Sequence, residues 1–86
     1  MPEISRFFGI VIRMYYDEHD PPHFHAIYSE DEAQVGIDPI HILRGDLPSR
    51  ARSMVFEWAA MQQRDLMDDW QRLRSDKPAR KLPPLR

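Results

Sequence analysis

The chain has 86 residues, of which 42% are hydrophobic and 30% are charged. This size and balance correspond to a single small domain with one modest core. The absence of cysteine excludes a disulfide framework, a thiolate zinc finger and a cysteine nucleophile, and it fits a reducing compartment. The sequence has neither a bilayer-length apolar run nor the pattern of a signal peptide, so we expect a cytoplasmic protein with no membrane partner.

Charge is unevenly distributed, although the net charge is only −2. Residues 17–38 hold seven acidic residues and no lysine or arginine, whereas residues 72–86 hold six basic residues and one aspartate. Segments of opposite charge can attract each other, or can attract separate partners. The sequence lacks the broad basic pattern that phosphate-backbone binding requires, so nucleic acid is not expected as a direct partner.

The first half of the chain has the residue pattern of β-strands. Residues 7–16 are rich in aromatic and β-branched side chains and predict one long strand. This strand ends before Pro21 and Pro22, because consecutive prolines cannot take part in strand pairing. Alternating or apolar runs predict further strands over 23–29, 33–38 and 40–43. Their short connections are typical of an antiparallel meander.

The second half of the chain changes to a helical period. Apolar side chains recur every three or four positions over residues 48–75, which predicts one long helix. Residues 76–86 predict an extended, proline-containing tail, in which Leu82 and Leu85 are expected to pack against the body of the protein. The predicted fold is therefore one α+β domain over residues 1–86, a small antiparallel β-meander of three to four strands packed against one long C-terminal α-helix. The expected core anchors are Phe8, Ile10, Trp58 and Trp70.

Three of the four histidines lie within seven residues, in the stretch HDPPHFHAIY. His23 and His25 are two residues apart on a predicted strand, so both imidazoles should project from the same face. Phe24, Ala26 and Tyr28 should point to the other face, into the core. His19 lies in the preceding loop, which can fold back towards the pair. These three histidines, with Asp17 and Asp20, predict an exposed polar binding surface. Because imidazole titrates near neutral pH, partner binding at such a surface would depend on pH.

The same stretch is compatible with a metal site or with a purely structural role. Two histidines with a third histidine or a carboxylate are typical of tetrahedral zinc and of 2-His-1-carboxylate sites. His23 and His25 would be the first two ligands. The candidates for the remaining ligands are His19, Glu30, Asp17 and Asp20. Histidines at a strand entrance can also hydrogen-bond to carboxylates with no further function, and the sequence leaves these alternatives open.

Three segments carry a family resemblance. They are ISRFFGIVIRMYYDEHDPPHFHAIYSEDEA, GDLPSRARSMVFEWAAMQQRDLMDDW and KLPPL. Together they resemble the bacterial domain-of-unknown-function family 4160, with PPHFHA as the most specific motif. The resemblance implies a small cytoplasmic protein whose gene often lies beside that of another small protein, in arrangements similar to toxin–antitoxin pairs. It implies no catalytic residues.

Two classes of function follow. The first, which the resemblance favours, is a protein-binding or regulatory module that needs no cofactor and acts as one partner of a toxin–antitoxin-like pair. Its partner would be a small protein from a neighbouring gene, or a second copy of the chain, and the basic tail (Arg80, Lys81 and Arg86) would form a second contact. The alternative is a small metal-dependent hydrolase or nuclease, in which His19, His23 and His25 hold a divalent ion such as zinc. We expect the binding module rather than an enzyme, because the sequence indicates neither a pocket nor a general base.

Overall fold

Five strands and two helices make up the computed structural model, which describes residues 3–86. The elements are β1 (Glu3–Phe7), β2 (Ile10–Arg13), β3 (His23–Tyr28), β4 (Asp31–Ile37), β5 (Ile40–Gly45), α1 (Ser49–Met61) and α2 (Gln63–Arg74). All neighbouring strands pair antiparallel, and their order in the sheet is the order of the chain. The α+β class and the antiparallel meander are thus confirmed. The prediction of three to four strands and one long helix is wrong.

The predicted strand over 7–16 is interrupted: this range contains the last residue of β1, a turn, all of β2 and the first residues of the next loop. Phe8 and Gly9 join β1 to β2, and both have a positive φ, of 49° and 79°. Two consecutive residues of positive φ form the tight turn whose twist matches antiparallel strands, and glycine adopts this conformation without strain. Phe8 lies at this turn and is 60% exposed, so it does not anchor the core. Ile10, at the start of β2, is fully buried as expected.

The core lies between one face of the sheet and the helices. Trp58 of α1 is its central side chain: its ring centroid is 5.4 Å from that of Phe7 and 5.7 Å from that of Phe24. Burying an apolar side chain of this kind stabilises a fold by about 1.5–3 kcal/mol relative to exposure. Phe24 alternates with His23 and His25 along β3, so the histidines lie on the opposite face of the sheet.

The predicted helix over 48–75 is divided at Gln62. This residue has φ −108° and ψ 15°, outside the helical conformation, and it separates α1 from α2. The side-chain amide of Gln63 donates a hydrogen bond of 2.8 Å to the carbonyl oxygen of Ile37, which ties the start of α2 to the end of β4. The division brings Trp70 of α2 to the first residue of β3, His23, with 5.3 Å between ring centroids.

The tail packs along the β1 edge of the sheet, as expected. The backbone N–H of Leu82 donates to the carbonyl oxygen of Ile4 at 2.7 Å, and the indole N–H of Trp58 donates to the carbonyl oxygen of Pro83 at 2.8 Å. Leu82 and Leu85 are both buried.

Within residues 3–86, neither helix is long and apolar enough to cross a membrane.

Arg80 fixes the tail to α2. Its backbone N–H donates to Asp69 Oδ1 at 3.0 Å, and its guanidinium lies 2.7 Å from Asp68 Oδ2 and 3.6 Å from Asp65 Oδ1. The basic tail is therefore not wholly free to contact a partner, as the sequence suggested, because Arg80 already pairs with acids of the same chain. Lys81 and Arg86 are exposed.

Asp69 predicts a pH dependence of stability. Burial raises the pKa of Asp69 above the ordinary value of 3.8, although hydrogen bonds from Arg80 act in the opposite direction. The folded protein therefore binds a proton more readily than the unfolded chain, so this group's contribution to stability falls as pH rises from about 3.8 through the raised folded-state pKa. In Asp69→Asn this contribution should be absent. Melting temperatures of both proteins across acidic pH test the prediction.

The control for this measurement is Asp31→Asn, which changes an exposed aspartate at the start of β4. Its pH profile should follow that of the unmodified protein. An Asp69→Asn profile parallel to that of the unmodified protein would contradict the prediction.

Candidate metal centre

The loop between β2 and β3 covers part of the sheet face opposite the core. Met14, its first residue, is fully buried, and the Tyr15 ring meets the His25 ring edge-on with 4.7 Å between centroids. Four residues after Met14 the loop places the Glu18 carboxylate against the two histidines of β3. Because the loop lies over them, His23 and His25 are only 5% and 7% exposed. They share one face, but the prediction that this face is exposed is wrong.

Arg74 of α2 holds this loop in place. Its guanidinium donates to the carbonyl oxygens of Tyr15, at 3.2 Å, Tyr16 and Glu18. The same guanidinium lies 4.2 Å from the centre of the Trp70 ring, a distance typical of a cation–π contact. One side chain thus joins the last turn of α2 to three carbonyl groups of a loop more than fifty residues away. Because one of these carbonyl groups belongs to Glu18 itself, the contact restrains the backbone that carries the Glu18 side chain.

His23 presents one ring nitrogen to the cluster. Its Nδ1 is 2.8 Å from the carbonyl oxygen of Pro21, and since a carbonyl only accepts, Nδ1 carries the hydrogen and donates it. Its Nε2 is buried and has no hydrogen-bond partner within residues 3–86. That Nε2 lies 3.3 Å from Glu18 Oε1. The ring is therefore oriented by the loop with an unpartnered nitrogen directed towards the carboxylate.

His25 is oriented in the same way by a different acceptor. Its Nδ1 is 2.8 Å from Glu32 Oε2 of β4, and its Nε2 contacts Glu18 Oε1. Both imidazoles thus use Nδ1 for a hydrogen bond to an oxygen and direct Nε2 to the same carboxylate. Histidines that bind metals usually have this arrangement, in which an acceptor on the second nitrogen fixes the ring.

The three side chains converge closely enough to share one ion. Each of Glu18, His23 and His25 offers a ligand atom, and these atoms all lie within 4.8 Å of one another. Partial burial acts to raise the pKa of Glu18, but the hydrogen bond and charge interaction with His25, together with the nearby His23, outweigh it and hold that pKa below its ordinary value. The carboxylate is therefore kept ionised, as a metal ligand must be.

The other predicted site residues lie outside this cluster. His19 and Asp20 line a shallow pocket beside it, and Asp17 is exposed in the same loop. Glu30 lies in the turn between β3 and β4, at the opposite end of β3 from His23. The structure therefore brings together the two histidines of β3, as the alternation predicted, but supplies Glu18 as the third group.

The cluster lies within a segment of the chain that matches a known protein family. A family model described as Domain of unknown function (DUF4160) matches residues 9–71. The chain belongs to this family. The DUF4160 match begins at the β1–β2 turn and ends within α2, so it contains the carboxylate and both histidines, whereas Arg74 follows it. Comparisons with curated proteins and with solved structures found no match.

Three residues of the site in this chain were missed from the sequence: Glu18, Trp70 and Arg74. Glu18 is one of seven acids in its segment, and no spacing rule separates it from Asp17 or Asp20, because a loop has no fixed period. Trp70 has the spacing of a core residue, which it also is. Arg74 lies in a basic segment near the end of the helix, and basic residues there are commonly explained by the helix dipole.

Proposed function

We propose that this DUF4160 protein binds a divalent transition metal ion through Glu18, His23 and His25. The observation that supports the proposal is the convergence of three ligand atoms within 4.8 Å while both Nδ1 atoms are held by oxygen acceptors. Two imidazoles and one carboxylate suit zinc and the ions of 2-His-1-carboxylate sites. The family resemblance adds nothing for or against a metal.

The unpartnered nitrogen of His23 is further support. Nε2 of His23 is buried, lies 3.3 Å from Glu18 Oε1 and makes no hydrogen bond within residues 3–86, and a buried polar atom without a hydrogen bond costs about 1–3 kcal/mol. A metal ion bound at that nitrogen would remove this cost, because the lone pair would form a coordination bond. The ring itself is already oriented by Pro21 and packed against Trp70, so binding would require little ordering of this side chain.

A centre with three protein ligands supports metal-assisted hydrolysis. Zinc sites of this composition keep a coordination position for water, and the ion lowers the pKa of that water. In this chain a pocket with a volume of about 350 Å³ is lined in part by Glu18 and His23, so a small ligand held there would lie next to the centre. We therefore infer a metal-dependent hydrolase as the enzyme class that this site would serve.

Metal titration of untagged protein tests the proposal. Isothermal calorimetry with Zn²⁺ near neutral pH should give one ion per chain, and Co²⁺ should give the visible spectrum of a low-coordinate site. Glu18→Gln should weaken Zn²⁺ binding about a hundredfold, since even outer partners of metal ligands contribute ten- to a hundredfold. Glu30→Gln is the matched control, because this acid is in the same region of the sequence but outside the cluster.

Two results would contradict the metal site. The first is the absence of stoichiometric binding of both ions. The second is an equal loss of affinity in Glu18→Gln and Glu30→Gln, which would mean that general acidity attracts the metal. In either case the cluster would be a structural group in which His25 lies between the carboxylates of Glu18 and Glu32.

We also propose a protein-binding role at the β5 edge, as one partner of a toxin–antitoxin-like pair. The specific support is that the tail hydrogen-bonds to the β1 edge at Ile4, whereas β5 has only β4 as a strand neighbour within the described residues. An open edge can accept a strand from a partner. Co-purification with the product of a neighbouring gene tests this role, and sedimentation tests the alternative of a homodimer. A monomer that captures no neighbour product would contradict it.

A further inference from the structure

The pocket beside the candidate metal centre is lined by residues of three strands, β3, β4 and β5, and of the loop before β3. It has a volume of about 350 Å³ and adjoins the centre through Glu18 and His23. The residues of its wall are Glu18, His19, Asp20, Pro21, His23, Gln34, Leu43 and Arg44. One side is thus the loop and β3, and the other is the end of β5. A ligand in this space would contact both the centre and β5.

Arg44 reaches this pocket because of an irregularity in the sheet. Val35 pairs with Ile42, but the preceding residue, Gln34, pairs with Arg44, so Leu43 is an extra residue in β5. Such a bulge changes the direction of nearby side chains. As a result, His25, Gln34 and Arg44 form one row across β3, β4 and β5. Strand spacing places the first and last of them about 10 Å apart at the backbone.

The charges of the pocket suit an anion once the metal is bound. Glu18 and Asp20 are the acids of its wall, and a divalent ion balances both. Arg44 is then the one arginine or lysine of the wall, and within residues 3–86 it makes no ion pair. Its side chain is exposed, and Gln34, which pairs with both His25 and Arg44 and lines the pocket, has a side-chain amide that can donate hydrogen bonds.

We propose that this pocket binds an oxyanion, a phosphate or carboxylate group, between the metal ion and Arg44. A guanidinium binds two oxygens of such a group in one plane, and the metal would take a third contact or share one of these oxygens. The inference rests on the metal site proposed above and adds the chemical class of its ligand. The distance between Arg44 and the metal ion would be set by the pairing of His25, Gln34 and Arg44 across the three strands.

Anion titration of the metal-loaded protein tests this inference. Protein loaded with one equivalent of Co²⁺ is titrated with inorganic phosphate and, separately, with acetate, at constant ionic strength. The visible spectrum of Co²⁺ should change with at least one of the two anions as it enters the coordination sphere. Arg44→Gln should raise the dissociation constant of that anion about tenfold, since a charge-assisted hydrogen bond is lost.

The control is Arg50→Gln, which removes an exposed arginine of α1 outside this pocket and should leave the dissociation constant unchanged. If Co²⁺ binds but neither anion changes its spectrum, the oxyanion inference is overturned and the metal site is retained. An equal effect of Arg44→Gln and Arg50→Gln also overturns it. If Co²⁺ itself does not bind, both the metal site and this inference are overturned.

Discussion

Replacing Trp58 by alanine is expected to lower the free energy of unfolding by about 3–5 kcal/mol. The side chain is fully buried, contacts the rings of Phe7 and Phe24, and donates its indole N–H to the carbonyl oxygen of Pro83. Its loss would leave a large cavity and would detach the tail from α1. Small domains have a total stability of about 5–15 kcal/mol, so the variant should be close to unfolding.

Urea denaturation followed by circular dichroism measures this effect. Trp58→Phe is the informative control, because it keeps an aromatic ring in the core but removes the hydrogen bond to Pro83. Its loss of stability should be clearly smaller than that of Trp58→Ala. A midpoint for Trp58→Ala close to that of the unmodified protein would contradict the placement of Trp58 at the centre of the core.

Replacing Arg74 by alanine is expected to weaken Zn²⁺ binding about ten- to a hundredfold, although Arg74 is not a ligand. The guanidinium binds three carbonyl groups of the loop that carries Glu18 and packs on Trp70. Without it the loop should sample more conformations, so that ordering Glu18 at the metal would cost conformational entropy. Calorimetric titration with Zn²⁺, together with the melting temperature of the metal-free protein, measures both consequences.

Two further variants show whether Arg74 positions Glu18 or only stabilises the fold. Arg64→Ala removes an exposed arginine from the same helix and should leave the Zn²⁺ affinity unchanged. Arg74→Lys keeps the charge but cannot form the same set of hydrogen bonds, so its affinity should be intermediate. If Arg74→Ala lowers the melting temperature without changing the Zn²⁺ affinity, Arg74 only stabilises the fold and does not position Glu18.

The two wrong boundaries of the predicted fold have the same origin. The turn between β1 and β2 contains Phe8, a residue that rarely has a positive φ, so the apolar run from 7 to 16 looks continuous. The break at Gln62 contains neither glycine nor proline, so the helical period also looks continuous. The break at Gln62 is accompanied by a contact that is distant in sequence, that of Gln63 with Ile37, which local propensity does not contain. The turn at Phe8 and Gly9 does contain a local signal, the glycine, but the apolar residues on both sides of it obscured this signal.

The candidate site could be predicted in part. Strand alternation places His23 and His25 on one face regardless of the rest of the protein, because successive side chains of a strand point to opposite faces. Their burial could not be predicted in this way. It depends on the loop from Met14 to Pro22 and on Trp70 of α2, and the covering of one element by another is a tertiary property.

Local sequence is enough to predict the α+β class, the antiparallel meander and the shared face of the two histidines. Each of these follows from a period or from proline chemistry within a short window. Tertiary contacts, by contrast, bring Glu18 rather than His19 or Glu30 to the histidines, place the tail against β1 and set Arg44 in the same row as His25. The physical reason is that loop conformation and strand register depend on contacts between distant segments, here those of Arg74 with the loop and of β4 with β5.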